Sequence, residues 1–397
     1  MDQIIAGIGD ALTLINILYV ALGVFIGIFV GAIPGLNAPM AIAIAVPITF
    51  YMSPLAGIAF LIGINKGGTF GGSIAAILLN TPGSPEATST AFDGYPLARQ
   101  GKGLKALKMA LYSSVFGDTF SDIVLFTVAA PLALVALKMG PPEMTAILIF
   151  SLTIIAGLAG KSMIRGLIAA ALGGFLSTVG LDIETAEPRL TFGFVELDDG
   201  IPLLPMAIGL LALSEIIIQI ENHVLAKERD TGSIDVFSRD VPRENKAVSG
   251  REFMGCFRTI IRSSFIGTGI GALPGIGAVV AGFLGYAAAR RASKNPDEFG
   301  TGKLEGIAAP ESANNAATVG AMIPLLSLGI PGSGTTAVLM GAFLVHNLQP
   351  GPFLFIHERP LVYGLFSGIA LSNLLILVMA FIFIRLFNRM THVPYPL

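Results

Sequence analysis

The sequence predicts an all-α polytopic membrane protein, built from two inverted-topology repeats with discontinuous (Pro-Gly broken) helices and re-entrant hairpins. Three observations carry this prediction: a composition poor in charge, long uncharged apolar runs, and an internal repeat. Of the 397 residues, 53% are hydrophobic and 13% are charged, whereas soluble domains average about 25% charged residues. Because a soluble protein with so few charges could not cover its surface, we expect lipid to cover much of this one.

Apolar runs of nearly the right length for membrane crossing recur along the chain. Most of them approach the roughly 20 residues that a helix needs to span a bilayer. They are rich in Leu, Ile, Ala and Gly rather than alternating, which argues against a membrane β-barrel. The runs are Ile15–Ile33, Ile123–Leu137, Met144–Ala159, Ile201–Ile220 and Leu361–Ile384.

Charge, cysteine content and motifs exclude several functional classes. A formal net charge of −2 provides no basic surface for nucleic acid. The single cysteine, Cys256, can form neither an intramolecular disulfide nor a zinc site. No catalytic constellation such as HExxH or GxSxG is present. We therefore expect no enzymatic activity and no cofactor.

Two blocks of sequence recur in the same order. Residues 27–36 (GIFVGAIPGL) resemble residues 267–276 (GTGIGALPGI), at an offset of 240 positions. The second block recurs at an offset of 249 and pairs Asn65 with Asn314, Thr69 with Thr318, and Pro82-Gly83-Ser84 with Pro331-Gly332-Ser333. Because low-complexity coincidence would not preserve order and spacing, the pattern predicts a duplication.

Basic residues predict the orientation of the two repeats. If the N-terminus lies outside, nearly all Lys and Arg residues fall in loops on the inner side, as membrane proteins prefer. The second repeat then begins on the opposite side from the first. The predicted organisation is a first repeat (1–138), connecting transmembrane helices (139–222), a polar cytoplasmic loop (223–254) and a second inverted repeat (255–397). The segment 278–289 could instead be re-entrant.

The matched Pro-Gly breaks are the predicted substrate site. Many secondary transporters bind substrate near the midplane, where discontinuous helices of inverted repeats meet. Pro ends the incoming helix and Gly permits an unwound turn, and new helix starts point N–H groups and positive dipole ends at an anion such as a carboxylate. A purely structural kink is the alternative for any single break. The predicted residues are Asn80, Thr81, Pro82, Gly83, Ser84, Pro331, Gly332, Ser333, Gly334, Thr335 and Thr336.

Polar residues within apolar segments extend this predicted site. Asn65 and the pair Asn314-Asn315 could serve a carboxylate or an ion, or could make interhelical hydrogen bonds. Lys66 could balance an anionic substrate, could pair with Glu86, or could extend to the membrane surface.

The sequence indicates cation sites less clearly than it indicates the substrate site. A sodium site is possible near Asn37, Asn65, Asn314 and the backbone at the helix breaks. Asp118 and Asp122, one helical turn apart, could hold a cation or a proton, or could cap polar groups nearby. Beyond these possibilities, no metal site is predicted.

Four long segments closely resemble the TctA family, the large membrane subunit of bacterial tripartite tricarboxylate transporters. They are GAIPGLNAPMAIAIAVP, GGTFGGSIAAILLNTPGSPEATSTAFDGYPLARQGKG, GALPGIGAVVAGFLGY and APESANNAATVGAMIPLLSLGIPGSGTTAVLMGA. The resemblance runs from about residue 15 to the end. It implies the permease subunit of a secondary transporter that imports di- or tricarboxylates by alternating access, coupled to sodium or protons. It also implies a small four-helix membrane subunit, a periplasmic solute-binding protein and a place in the bacterial inner (cytoplasmic) membrane, surrounded by lipid.

Other functions remain open at this point. The alternatives are a stand-alone permease or channel of similar fold, or an inactive truncated remnant. The resemblance implies truncation, because family members usually continue with further hydrophobic helices after a motif like Val393-Pro394-Tyr395. Repeat two also lacks counterparts of the helices expected at Met144–Ala159 and Gly166–Gly180.

Overall fold

The protein is described by a computed structural model over residues 2–158, 163–182, 187–202, 205–206, 208–214, 217, 221 and 243–390. Helices dominate these ranges. In the first half they are α1 (Asp2–Ala11), α2 (Leu14–Gly31), α3 (Ala38–Thr49), α4 (Pro54–Leu79), α5 (Thr88–Leu97), α6 (Gly103–Ala136), α7 (Pro141–Leu158) and α8 (Met163–Leu176). In the second half they are α9 (Gly250–Ala272), α10 (Gly277–Ala292), α11 (Leu304–Gly320), α12 (Met322–Leu328), α13 (Gly334–Val345) and α14 (Arg359–Met390). The strands β1 (Gly180–Leu181) and β2 (Pro188–Arg189) pair antiparallel.

Helix length and composition confirm the all-α, multi-pass prediction. Within the described ranges, 3 helical stretches are long and apolar enough to cross a membrane: Leu14–Gly31, Pro85–Ala136 and Arg359–Ile384. By contrast, α3 and α13 have 12 residues each, and a helix of that length extends only about 18 Å. Since a hydrocarbon core is roughly 30 Å thick, these two helices suit re-entrant hairpins. The predicted run Ile201–Ile220 lies partly outside the described residues.

The two repeats share their backbone conformation at both breaks. After α2 and α9 respectively, Gly35 and Gly275 adopt left-handed φ angles of 88° and 85°. After α4 and α12 respectively, Asn80 and Gly329 adopt left-handed φ angles of 53° and 73°. Glycine tolerates this region without cost, and Asn is among the few other residues that enter it. The same chain reversals therefore occur at equivalent positions.

Helix packing is repeated as well. Gly27 and Gly31 of α2 lie against backbone carbonyls of α4, and Gly267 and Gly271 of α9 lie against carbonyls of α11 in the same way. A β-carbon at any of these glycines would collide with the facing carbonyl, so the absent side chain lets the backbones approach closely. The facing carbonyls belong to Ile64, Gly68, Ala313 and Ala317, which are related by the offset of 249.

Helix α9 begins within the predicted polar loop. The polar loop was expected to reach residue 254, but α9 begins at Gly250. The reason is a capping box: the Ser249 hydroxyl accepts from the Glu252 N–H at 3.2 Å, and the Glu252 carboxylate accepts from the Ser249 N–H at 2.8 Å. Of the rest of that predicted loop, residues 223–242 lie outside the described ranges, and Arg243–Lys246 forms a helical turn.

Candidate functional site

The two repeats meet at a pair of equivalent threonines. Thr69 of α4 and Thr318 of α11 place their hydroxyl oxygens 3.4 Å apart. Each hydroxyl also donates to its own helix, to the carbonyl of Asn65 at 3.1 Å and of Asn314 at 3.0 Å respectively. Both helices are buried along almost their whole length. Because equivalent residues touch only near a symmetry axis, this contact marks the local two-fold axis between the repeats.

After the Pro82-Gly83-Ser84 break, called the first break, and after the Pro331-Gly332-Ser333 break, called the second, the chain folds back against the helical segment that precedes it. The Gly83 N–H donates to the Gly72 carbonyl at 3.2 Å, and Gly83 also lies against the Gly31 carbonyl, where a side chain would not fit. In repeat two, Gly332 lies against Ala321, the position equivalent to Gly72. The breaks therefore return to the C-terminal part of α4 and to the junction between α11 and α12.

The first break also contacts the opposite repeat. The Asn314 side-chain N–H₂ donates to the Glu86 carbonyl at 3.2 Å, and Gly282 of α10 faces Ser89 and Glu86. In the reciprocal arrangement, α13 packs against α3 and α4. Since Asn314 is one turn from Thr318, the residues after the first break lie close to the local two-fold axis.

The two serines that follow the breaks have different hydrogen bonds. Ser333 accepts from the Thr336 N–H at 3.3 Å, and the Thr336 hydroxyl accepts from the Ser333 N–H at 2.8 Å, which forms a cap on α13. Ser84 occupies the equivalent position, 3% exposed, before the short 3₁₀ turn Pro85–Ala87. Among the described residues, none forms a hydrogen bond with the Ser84 hydroxyl. The Ser84 hydroxyl is thus buried without a hydrogen-bond partner among the described residues, whereas Ser333 takes part in a helix cap.

Some of the predicted break residues lie at the surface rather than in the interior near the local two-fold axis. Asn80 and Thr81 are exposed at the turn itself, and the Thr81 hydroxyl donates to the Leu79 carbonyl at 3.3 Å. Gly334 is exposed. The partly buried residues of the breaks are Pro82, Pro331, Ser333 and Thr335, and the buried ones are Gly83, Ser84, Gly332 and Thr336.

The predicted asparagines lie near the axis. Asn65 and Asn314 are both buried. The Asn315 amide donates to the Asn314 side-chain oxygen at 2.8 Å, while its own side-chain oxygen has no hydrogen-bond partner in the described part of the chain. Asn37 instead accepts from the Met40 N–H at 3.0 Å and so caps α3. The suggested sodium site stays a prediction.

Comparison with known proteins identifies the family of this chain. The chain matches the tripartite tricarboxylate transporter TctA family over residues 17–397. It belongs to that family. An uncharacterized 52.8 kDa protein in the TAR-I ttuC' 3' region of Agrobacterium vitis is 38% identical over 389 residues, which are 98% of this chain and 76% of the relative. An uncharacterized protein in the TAR-II ttuC' 3' region of the same organism is 42% identical over 129 residues, which are 32% of this chain and 53% of the relative. No solved structure matches. The TctA family is a transporter family, and this chain is accordingly a membrane subunit of a tricarboxylate transporter.

Lys66 of this TctA-family chain lies in an ion pair that was not predicted. Its ammonium is 3.1 Å from the Asp122 carboxylate and 4.0 Å from that of Asp118, and it donates to the Ile369 carbonyl at 3.3 Å. Two of the predicted alternatives, pairing with Glu86 and extension to the membrane surface, are therefore wrong. A buried ammonium requires a nearby anion, and Asp122 supplies one from a helix 56 positions further along the chain. A role for Lys66 toward substrate stays a prediction.

Two further acidic residues join the repeats. Glu311 of α11 is fully buried; its carboxylate accepts from the Thr90 hydroxyl and from the Ser114 hydroxyl, the latter at 2.7 Å. Asp93 of α5 accepts from three backbone N–H groups of the loop before α11, at 2.8–3.0 Å. The signal for Glu311 in the sequence is a carboxylate in the middle of a helix that is rich in small residues. Nothing in the sequence indicated the partners of Asp93.

Proposed function

We propose that this chain is the permease subunit of a binding-protein-dependent secondary transporter that imports di- and tricarboxylates by ion-coupled alternating access. Family membership supports the transporter class. The observation that carries the mechanism is the pair of matched breaks folded around the Thr69–Thr318 contact. Two similar halves around one central site can exchange conformations, which opens that site to each side of the membrane in turn.

The proposed substrate site lies between the first break and the start of α13. Ser84 contributes a buried hydroxyl that no other described group uses. The first-turn N–H groups of α13, at Gly334 and Thr335, lack an intrahelical acceptor by helix geometry. The positive end of that helix dipole favours a carboxylate. The buried amides of Asn65 and Asn314 add hydrogen-bonding capacity near the axis.

The proposed partners are a small four-helix membrane subunit and a periplasmic solute-binding protein, in the bacterial inner membrane. Membership of a tripartite family supports this assembly. The surface supports a membrane setting, because large apolar side chains are exposed on α7 and α8: Leu148, Phe150, Leu172 and Phe175. Lipid or a membrane partner would cover them, since patches of this kind are uncommon on soluble monomers.

Reconstitution tests the proposal directly. The chain, its small subunit and its binding protein would be placed in liposomes, and uptake of labelled citrate and succinate would be measured with and without imposed sodium and proton gradients. Accumulation that requires both the binding protein and a gradient is expected. Equal conduction without the binding protein would indicate a channel. No uptake, where a longer relative is active in the same liposomes, would indicate an inactive chain.

A further inference from the structure

A buried polar cluster lies apart from the two breaks. The Asp118 cluster consists of Lys66 on α4, Asp118 and Asp122 on α6, and Asn373 on α14, each at most 6% exposed. Lys66 contacts Asp122 at 3.1 Å and Asp118 at 4.0 Å. The Asn373 amide donates to the same Asp122 carboxylate at 2.6 Å.

The charges of this cluster do not balance. Two carboxylates share one ammonium, so the fully ionised cluster would hold one uncompensated negative charge in the protein interior. Burying such a charge costs several kcal/mol, and a buried group usually takes up a proton instead. Asp122 has both Lys66 and Asn373 as hydrogen-bond donors. Asp118 has none: within the described ranges, no group donates to either of its carboxylate oxygens.

We infer that Asp118 is a proton-binding site. In the protonated form Asp118 is neutral, and Lys66 pairs with Asp122 alone. On release, the O–H bond of Asp118 breaks, the proton passes to water, and the new carboxylate competes with Asp122 for the Lys66 ammonium. No other group gains or loses a proton in this step.

A proton fits the cluster better than a metal ion. The Lys66 ammonium occupies the space between the two carboxylates and would repel a metal cation bound there. In the described part of the chain, no group of three or more His, Cys, Asp or Glu side chains is arranged to hold a metal. A proton neutralises Asp118 without needing additional oxygen ligands.

A largely apolar groove lies beside the cluster. This groove, of about 490 Å³, is lined by residues that include Thr119, Ser249 and Leu377. The Thr119 hydroxyl accepts from the Asn373 amide at 3.1 Å, and that amide also contacts Asp122. The groove therefore reaches within one hydrogen bond of the cluster, next to the residue that follows Asp118.

The charged groups around Asp118 are few. Those that act on it in the described structure are Lys66 from α4 and Asp122 from its own helix. The packed helix α14 contributes the neutral Asn373, and Glu311 of α11 is bonded to the hydroxyls of Thr90 and Ser114. Arg262 of α9 donates to Thr259 in its own helix.

The position of Lys66 connects this proton to the substrate site. Lys66 belongs to α4, the helix that ends at the first break, and it also bonds the Ile369 carbonyl of α14. The proton on Asp118 thus determines how firmly α4 is tied to α6. This coupling role rests on the proposed transport function, whereas proton binding itself does not.

Infrared spectroscopy of the full chain in lipid tests proton binding without requiring transport. The wild type is expected to show the carbonyl stretching band of a protonated carboxyl group that fades as pH rises. Asp118→Asn should lose that band, and Glu311→Gln is the matched control that retains it. Asp122→Asn should weaken the band, because Lys66 is then free to balance an ionised Asp118. If Asp118→Asn does not insert, Asp118→Glu should shift the frequency of the band. A titrating band that survives Asp118→Asn, or does not shift in Asp118→Glu, would overturn the inference.

Uptake driven by a proton gradient tests the coupling role separately. Wild-type liposomes should take up more labelled citrate when the binding-protein side is acidified, and Asp118→Asn should lose this response. A preserved response would show that Asp118 does not couple proton movement to transport. If the wild type transports nothing, the proposed function fails, and the infrared titration still decides whether Asp118 binds a proton.

Discussion

Ser84 and Ser333 occupy equivalent positions, yet their hydroxyls differ in their hydrogen bonds. Ser333 forms a reciprocal cap with Thr336, so its side chain stabilises a helix start. Ser84 has the extended backbone of an N-cap residue but makes no side-chain cap hydrogen bond. Removing each hydroxyl should therefore affect different properties of the protein.

We expect Ser84→Ala to weaken carboxylate binding by roughly tenfold or more, because a hydrogen bond to a charged group contributes about 1.5–3 kcal/mol. Its thermal stability in detergent should stay near that of the wild type. Ser333→Ala should instead lower the free energy of unfolding by about 1 kcal/mol, the usual cost of a lost cap. Citrate titration of both purified variants and thermal unfolding distinguish the two effects. Unchanged affinity in Ser84→Ala would remove that serine from the site.

Lys66 should be far more important for stability than a surface lysine. Lys66→Met leaves Asp122 buried without its cation, and breaking a buried pair in this way costs about 3–5 kcal/mol. Adding Asp122→Asn should restore part of that loss. Lys105→Met is the matched control, because its partner Glu252 is 34% exposed and such pairs contribute about 1 kcal/mol or less. Thermal unfolding of the four proteins checks this, and equal losses at the two lysines would contradict it.

At the level of elements, the glycines of α2 and α9 determine how closely these helices approach the long helices. Gly267 faces the Ala313 carbonyl with no space for a β-carbon, whereas Gly269 of the same helix has no atom of another element within 4 Å. The two positions share a helix and its backbone conformation and differ in burial, so they form a matched pair for packing.

We expect Gly267→Ala to destabilise the protein by roughly 1–3 kcal/mol, because the added methyl group forces the two helices apart. Gly269→Ala should be neutral, or should stabilise by up to about 1 kcal/mol through helix propensity. Gly27→Ala in the first repeat should behave like Gly267→Ala, since its β-carbon would meet the Ile64 carbonyl. Thermal unfolding in detergent measures all three. Similar behaviour of Gly267→Ala and Gly269→Ala would contradict the packing described for α9 and α11.

The sequence predicted the breaks better than it predicted their surroundings. Pro-Gly pairs at matched offsets indicated where helices end, because proline and glycine act on the local backbone. The return of Gly83 to Gly72 was not predicted. That hydrogen bond depends on the left-handed turn at Asn80 and on the space beside Gly31, neither of which a pattern of residue types specifies.

At the scale of the whole molecule, an internal repeat carries information about contacts between its two halves. Equivalent residues can meet at a two-fold axis, and Thr69 and Thr318 do. The sequence carries no comparable signal for contacts between non-equivalent residues. Lys66 contacts Asp122, and Asn314 contacts Glu86, only because the tertiary fold places them together. Periodicity and breaks report burial and local conformation, not the pairing of distant helices.

The symmetric scaffold carries unequal charges. Lys66 corresponds to Asn315 in the second repeat, and Glu311 corresponds to Ile62 in the first. The lysine is thus present in one half and the buried glutamate in the other, although both lie on the central long helices. Backbone symmetry supports exchange between two similar conformations, while the unequal charges give the two halves different chemistry.

A cross-link tests the arrangement of the repeats around the axis. In a Cys256→Ala background, Thr69→Cys with Thr318→Cys should form an intramolecular disulfide under mild oxidation. The two hydroxyl oxygens, which the cysteine sulfur atoms would replace, are 3.4 Å apart, and small side-chain rotations can bring sulfur atoms there to the S–S bond length of about 2.0 Å. The matched control, Thr69→Cys with Gly269→Cys, should not form one, because no atom of another element lies within 4 Å of a β-carbon at residue 269. Mass spectrometry detects the loss of two hydrogen atoms and its reversal by reductant. Absence of the bond in the threonine pair, or equal yields in both pairs, would show that α4 and α11 do not meet at these residues.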